Sequence, residues 1–364
     1  MHDNKLIYAF KKNKGSFPRL FSTFLDNSIV FLTKKSPQKG PLFVVWDITA
    51  NCNLRCLFCG FGKTNDNILQ SDTELPLEQK IKIIKNLAER GVWFLSFCGG
   101  EPLLCKDLEQ IVKEAKSQKL VVNVSTNGFL LEEKARTLIN SGVDFVTISI
   151  DGYNPELLEQ VRGHKGLFEK IENGIKAIRV LSKKSPVFIE ARYLINKKNY
   201  FFMHDFVKVF GLKVNSIIFK PIYQNPNVFY NVPEEMKFSA QDEASFKEQF
   251  TTLLKNYKSL DTTYHRNIPL FLFHPEQLKG KFLCFAGTFF GGIDFKGNLF
   301  TCHELTIVPN ESSGNLNNSD LIDLWRSEKI NALRTLFKTG ARCNCWMDRF
   351  SLNIPLQKIL VPFP

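Results

Sequence analysis

Cys52, Cys56 and Cys59 fall within eight residues, in Cys52-Asn53-Leu54-Arg55-Cys56-Leu57-Phe58-Cys59, directly after a β-rich run at Phe43–Ile48. No other feature restricts the fold as much, because this C-x3-C-x2-C spacing needs a short loop at the end of a strand with three thiols converging. Three thiolates there can hold three irons of a [4Fe–4S] cube, which normally takes four cysteine ligands, and the absent fourth leaves one iron open to a small molecule. A zinc knuckle needs a fourth Cys or His close by. The nearest downstream histidine, His164, is more than a hundred residues away. A disulfide framework is not expected either, since nine cysteines without a secretory signal point to a reducing compartment, and so to the cytoplasm.

The chain of 364 residues, 44% of them hydrophobic, is long enough for one sizeable core and a smaller module. From residue 42 to about 220, β-rich runs alternate with helical-period runs, the pattern of repeated βα units around a parallel sheet. Strands are expected at Phe43–Ile48, Val92–Phe97, Leu120–Ser125, Asp144–Ile150, Val187–Leu194 and Val214–Phe219. Leu77, Ile81, Ile84 and Ala88 recur at helical spacing between Pro76 and Gly91, and further helices are expected near 106–118, 132–140, 167–181 and 200–210. In parallel α/β folds ligands bind at the carboxyl ends of the strands, so the loops that leave each strand are where chemistry belongs.

The cysteine run, with aromatic Phe58 before its last cysteine and Trp46-Asp47-Ile48-Thr49 leading in, resembles the signature of the radical S-adenosylmethionine (SAM) superfamily. The resemblance implies an α/β fold, a partial (β/α)6 barrel, with a [4Fe–4S] cluster on Cys52, Cys56 and Cys59. It implies that the amine and carboxylate of SAM chelate the open iron, and that an electron from the reduced cluster cleaves SAM to a 5′-deoxyadenosyl radical. That radical then takes a hydrogen atom from substrate, chemistry that belongs to the cofactor.

The strand-end loops carry the residues the resemblance calls for. Gly99-Gly100-Glu101-Pro102 resembles the family's GGEP segment, in which the glycines allow close backbone approach and Glu101 accepts hydrogen bonds from the SAM ammonium. Ser125-Thr126-Asn127-Gly128 resembles its TNG turn, Ser149-Ile150-Asp151-Gly152 its S-x-D-G, and Arg162-Gly163 a following R-G. Asn127, Ser149 and Asp151 are thereby expected at the ribose or methionyl part of SAM and Arg162 at a carboxylate, with Phe58 beside them. Asn-Gly and Asp-Gly are also ordinary turn formers. Cys98, just before the GGEP segment, is either a thiol hydrogen donor or a small buried thiol, and Cys105 is expected to be packing.

Four cysteines come late: Cys284, Cys302, Cys343 and Cys345. Between the first two, residues 289–301 read as two strands about a Lys296-Gly297 turn, and residues 321–338 as a helix returning to Cys343-Asn344-Cys345. This set resembles the opening of the SPASM/twitch module, which implies a second, auxiliary [4Fe–4S] cluster that takes an electron from a substrate radical. Four thiolates also suit a zinc ion.

The divisions expected are a basic, Phe-rich arm (1–41), the radical SAM core (42–220), an insert or linker (221–283) and the cluster module (284–364). Of the net charge of +12, residues 1–40 carry +6, from eight Lys/Arg against two Asp/Glu. The arm is expected to pack its phenylalanines on the main domain with its lysines in water; contact with an anionic membrane surface or an acidic partner is the alternative. The insert carries a helix stripe at Phe246, Phe250, Leu253, Leu254 and Tyr257 that belongs in a core, and its loops can cover a substrate. No apolar run reaches the ~18–20 residues of a membrane span.

The function these readings support is radical chemistry on a small-molecule or peptide substrate, with a flavodoxin- or ferredoxin-type electron donor. RNA modification is a second possibility suggested by the basic charge, though no RNA-binding module is visible and nucleic acid is not expected. A noncatalytic iron–sulfur carrier or sensor is a third; it would need no SAM contacts, which the Gly99–Pro102 segment argues against.

Overall fold

The computed structural model describes residues 2–33, 35–59, 74–223, 232–278, 280–306, 308, 310–338 and 350–361. Helices α1 (His2–Lys12) and α2 (Phe17–Thr33) precede strand β1 (Phe43–Thr49). Helix and strand then alternate: α3 (Leu77–Glu89), β2 (Phe94–Gly99), α4 (Leu108–Ser117), β3 (Val121–Thr126), α5 (Leu131–Ser141) and β4 (Phe145–Ser149). Helices α6 (Pro155–Arg162) and α7 (Leu167–Leu181), β5 (Phe188–Ile195), α8 (Met203–Phe210) and β6 (Ser216–Pro221) complete the series. The six strands are parallel and nearly all buried, as expected of a sheet covered by crossover helices.

The sheet is an open, partial barrel of eight strands in the order β6-β5-β4-β3-β2-β1-β7-β8. Its last two members are the hairpin β7 (Phe290–Ile293) and β8 (Leu299–Phe300), which turns at Gly297 with φ of +83°. β7 pairs parallel with β1, Phe43 opposite Phe290, so the hairpin expected between Cys284 and Cys302 extends the barrel sheet itself.

Strand boundaries match the periodicity to within about two residues. α6 was not expected, although its signals are in the sequence: Asn154 caps Leu157 N at 3.0 Å, Pro155 opens the helix, and Gly163 closes it in the left-handed region at φ of +73°. The helix expected over 321–338 is two, α12 (Leu321–Trp325) and α13 (Glu328–Lys338). The break falls where Arg326 reaches out to Pro37 O and Gln38 Oε1 and Ser327 O accepts from Asn331 N. In the insert, α9 (Glu243–Asn256) buries Phe246, Phe250, Leu253 and Leu254 in the main core, and α10 (Thr263–Arg266) and α11 (Ile268–Phe273) follow. No described residue of the insert lines the main cavity, and the loop of the insert over residues 225–231 lies outside the described residues.

Five strands begin with phenylalanine: Phe43, Phe94, Phe145, Phe188 and Phe290. Neighbouring rings lie 5.3 to 5.9 Å apart and form an aromatic floor across the amino ends of the strands. Tyr8 of α1 plugs it, 5.3 Å from Phe145 and 5.4 Å from Phe188, while Lys5 reaches in to Glu190 at 3.0 Å. The arm therefore differs from the expectation. Phe24 and Phe31 pack inward, but Phe10, Phe17 and Phe21 are exposed, and Lys5 and Lys12 are engaged by the barrel.

Asp144, fully buried at the entry to β4, holds the arm in place. It accepts from Lys116 Nζ at 2.6 Å, from Asn13 Nδ2 at 3.2 Å and from Val122 N at 2.8 Å, and lies 3.6 Å from Lys12 Nζ. Asp144→Ala leaves two lysines facing each other and a buried amide unpaired, and should cost about 3 kcal/mol. Limited proteolysis should then cut between residues 13 and 35 faster than in wild type. Unchanged cleavage and denaturant midpoint would show that the arm does not depend on this carboxylate.

Candidate active site

β1 runs out at Thr49 into the cysteine loop, and three neighbouring segments grip that loop. Gly100 N donates to Thr49 O at 2.9 Å and Glu101 N to Asn51 O at 2.7 Å. A Cβ on Gly99, whose φ is +115°, would lie 2.3 Å from Thr49 O, and one on Gly100 would lie 2.2 Å from Asn51 O. Only glycine lets these backbones meet. On the other side Glu74 accepts from Thr49 Oγ1 and from Asn51 Nδ2 at 3.4 Å, and buried Lys80 ties Glu74, at 3.4 Å, to Asp107, at 3.1 Å. Sequence reasoning missed Glu74 and Lys80, whose spacing of six residues carries no signal. Cys105, read as packing, has its Sγ 3.4 Å from Lys80 Nζ.

Cys52, Cys56 and Cys59 open on one cavity of about 320 Å³, whose walls include Gly99, Gly100, Asn127, Ser149, Asp151, Arg162 and Phe58. Burial pushes the Cys52 thiol up to about 11 and the Cys56 thiol up to about 12, so thiolates here require nearby positive charge, which the irons of a cluster supply. A cubane puts each thiolate on a different iron, and three thiols on one short loop supply three of its four ligands. The donor set therefore fits a [4Fe–4S] cluster.

The expected SAM residues divide into two sets. Asp151, fully buried, accepts from Arg162 Nε at 2.7 Å and Nη2 at 2.6 Å and from Leu194 N at 2.8 Å. Burial works against the charge on Arg162, but the pairing with Asp151 together with the neighbouring Cys56 and Cys59 outweighs it and raises the guanidinium's pKa. The guanidinium also lies 3.9 Å from Cys56 Sγ and over the Phe58 ring at 5.5 Å, so a fixed positive charge stands beside the cysteines. Asn127 donates to Asn53 Oδ1 at 2.8 Å and lies 3.9 Å from Cys52 Sγ.

Glu101 forms the second set. It is fully buried, and its carboxylate accepts from Leu103 N at 3.0 Å, Thr126 Oγ1 at 2.7 Å and Asn127 N at 2.7 Å. It does not line the cavity. In this arrangement it joins the ends of β2 and β3, and burial raises its pKa to about 6.

Cys98 lines the cavity 3.5 Å from Ser96 Oγ, and burial raises its thiol to about 11. Opposite it in register is Asp47 on β1, fully buried, which accepts from His303 Nε2 at 2.8 Å and Thr306 Oγ1 at 2.8 Å. His303 follows Cys302, so the late hairpin delivers His303 and Glu304 to the cavity wall. Arg192 and Lys220, on β5 and β6, line it too. His303, Glu304, Arg192 and Lys220 were not read from the sequence, since each is brought to the cavity by strand pairing. Cys284 and Cys302 both pack against the small cluster of Ala286, Leu333 and Phe337. Cys343 and Cys345 lie outside the described residues.

Family models match this chain in two places: the radical SAM superfamily over residues 46–190 and the SPASM iron–sulfur cluster-binding domain over residues 284–346. Fe-coproporphyrin III synthase of Methanosarcina barkeri is 32% identical over 182 residues, 50% of this chain and 43% of that protein. A probable GTP 3′,8-cyclase of Methanococcus vannielii is 31% identical over 219 residues, 58% of this chain and 70% of that protein. The crystal structure of Streptococcus suis SuiB bound to precursor peptide SuiA shares the fold, with a TM-score of 0.64 at 17% identity over 85% of this chain and 70% of that one. The chain spans about half the length of several curated relatives that it matches. By sequence and by fold, the chain belongs to the radical SAM superfamily and carries a SPASM domain C-terminal to its barrel.

Proposed function

We propose that this protein is a radical SAM enzyme acting on a small-molecule or peptide substrate. The observation that carries the reading is that three cysteine thiols, the paired glycines and the Asp151–Arg162 pair all open on one cavity. Cys52, Cys56 and Cys59 would hold the catalytic cluster; Gly99, Gly100, Asn127, Ser149, Asp151 and Arg162 would surround SAM; Cys284 and Cys302, with Cys343 and Cys345, would hold the auxiliary cluster. When bound, the reduced cluster and SAM supply a 5′-deoxyadenosyl radical that takes hydrogen from substrate, and the auxiliary cluster supplies an electron acceptor. The protein's part is positional. Arg162 fixes a positive charge next to the cysteines for a carboxylate, Gly99 and Gly100 let the end of β2 lie against the cysteine loop, and Phe58 and Leu54 exclude water.

A noncatalytic carrier would have no use for a SAM-sized cavity on the open side of the cysteine loop. For the substrate, the relatives diverge: their names refer to a porphyrin and to GTP, and SuiB is bound to a precursor peptide. In this reading a small molecule, or one side chain of a peptide, would meet the cofactor along the cavity wall formed by Arg192, Lys220, His303 and Glu304. The electron donor in this reading is a flavodoxin or ferredoxin.

Reduced, anaerobically prepared protein should convert SAM to 5′-deoxyadenosine and methionine, and Cys56→Ala should abolish that conversion. Chromatography of the products decides it, and intact SAM beside a reduced cluster would favour the carrier.

Iron analysis tests the two sites separately. Wild type should hold about eight irons and the Cys52/Cys56/Cys59→Ala variant about four, in a cluster whose paramagnetic resonance ignores added SAM. Zinc in place of iron in the variant would make the second site a structural clamp.

Glu101 makes a pH prediction. Its folded pKa of about 6 lies above the ordinary 4.5, so the native state holds this proton more tightly than the unfolded chain. Its stability contribution is complete below about pH 4.5 and is lost as pH rises through 6, a loss of about 2 kcal/mol. Measured by denaturant unfolding, the stability of wild type relative to Glu101→Gln should fall by that amount between pH 4.5 and 7. A difference independent of pH would mean that the buried carboxyl is charged throughout.

A further inference from the structure

The outer face of the arm is not explained by the cofactor site. Phe17, Phe21, Leu25 and Leu32 are 55%, 60%, 50% and 57% exposed, and their spacing of four, four and seven residues sets them in one stripe along α2. Ile7 and Phe10 of α1 continue it, with Phe10 6.3 Å from Phe17 and Phe17 stacked on Phe21 at 6.5 Å. The opposite side of α2 is already used, since Thr23, Asn27, Val30 and Phe31 are buried against the barrel. The helix is thus apolar on two faces and only one is covered, which on a water-facing surface is the mark of a docking site.

Cations ring this face. Lys11 and Lys14 are exposed between the two apolar segments. Lys119 and Lys183–Lys184 are exposed on the loops that enter β3 and β5, and both loops are tied to the arm, by Arg19 to Gln118 O at 2.7 Å and by Lys12 to Pro186 O at 3.1 Å. Leu212, fully exposed on the loop entering β6, lies at the same end of the barrel. A convex apolar ridge bordered by lysines offers few directional hydrogen bonds with which to select a protein groove. An anionic lipid surface needs none, only apolar side chains to take up and cations to pair.

We propose that this end of the protein docks on an anionic membrane surface, α2 lying in the interface and the lysines meeting lipid headgroups. The docking is peripheral, since no helix among the described residues is long and apolar enough to cross a membrane. The cysteine loop lies at the opposite, carboxyl ends of the strands, away from the lipid.

Vesicle co-sedimentation tests the proposal, with phosphatidylcholine alone and phosphatidylcholine mixed with phosphatidylserine. Wild type should bind the mixed vesicles, and added salt should weaken the binding. Phe21→Ser/Leu25→Ser and Lys11→Glu/Lys14→Glu should each lose at least about tenfold in affinity, from lost apolar insertion and lost headgroup attraction respectively. All four side chains are exposed, so both variants should keep the wild-type unfolding temperature. The proposal is overturned if wild type ignores anionic vesicles, or if both variants bind as wild type does. It is equally overturned if sedimentation shows a wild-type dimer that Phe21→Ser/Leu25→Ser dissolves, since a second copy then covers the face.

Discussion

A single buried carboxylate, Glu101, joins the parts of the site. Its backbone N–H reaches the cysteine loop at Asn51, and its side chain accepts from the ends of β2 and β3. Parallel strands leave their carboxyl ends unconnected to one another, so one residue that donates to the cysteine loop and accepts from the two loops beyond it sets the distance between them. Asn127, held by that carboxylate through its backbone, can then direct its own side chain at Asn53 and Cys52. The glycines before Glu101 serve the same approach.

The two ends of the barrel solve different problems. At the carboxyl ends polar side chains and thiols surround a cavity, which an iron–sulfur cluster and SAM would fill. At the amino ends five phenylalanines and Tyr8 close the interior, and Asp144 pins the helices that make the closure.

The late hairpin connects the auxiliary region to the site more closely than its sequence position suggests. By pairing with β1 it sets His303 against Asp47, so the residue after Cys302 borders the cavity that holds the other three cysteines.

The local features were legible in the sequence because they depend on local chemistry. Cysteine spacing, glycine pairs at strand ends and the alternation of strand and helix periods each fix a short-range conformation, and they located six strands, the cysteine loop and the S-x-D-G and R-G positions. What required the fold was every contact set by register between distant segments: Glu101 turned inward to β3, Glu74 and Lys80 behind the loop, Asp47 beneath His303, and the hairpin as strands seven and eight of the barrel. Arm packing belongs here too, since a helix apolar on both sides does not declare which side faces inward. The sequence by itself determined the kind of chemistry and the secondary structure, since both reside in residues a few positions apart; only the tertiary structure decided which side chains meet, since that depends on how strands more than two hundred residues apart align.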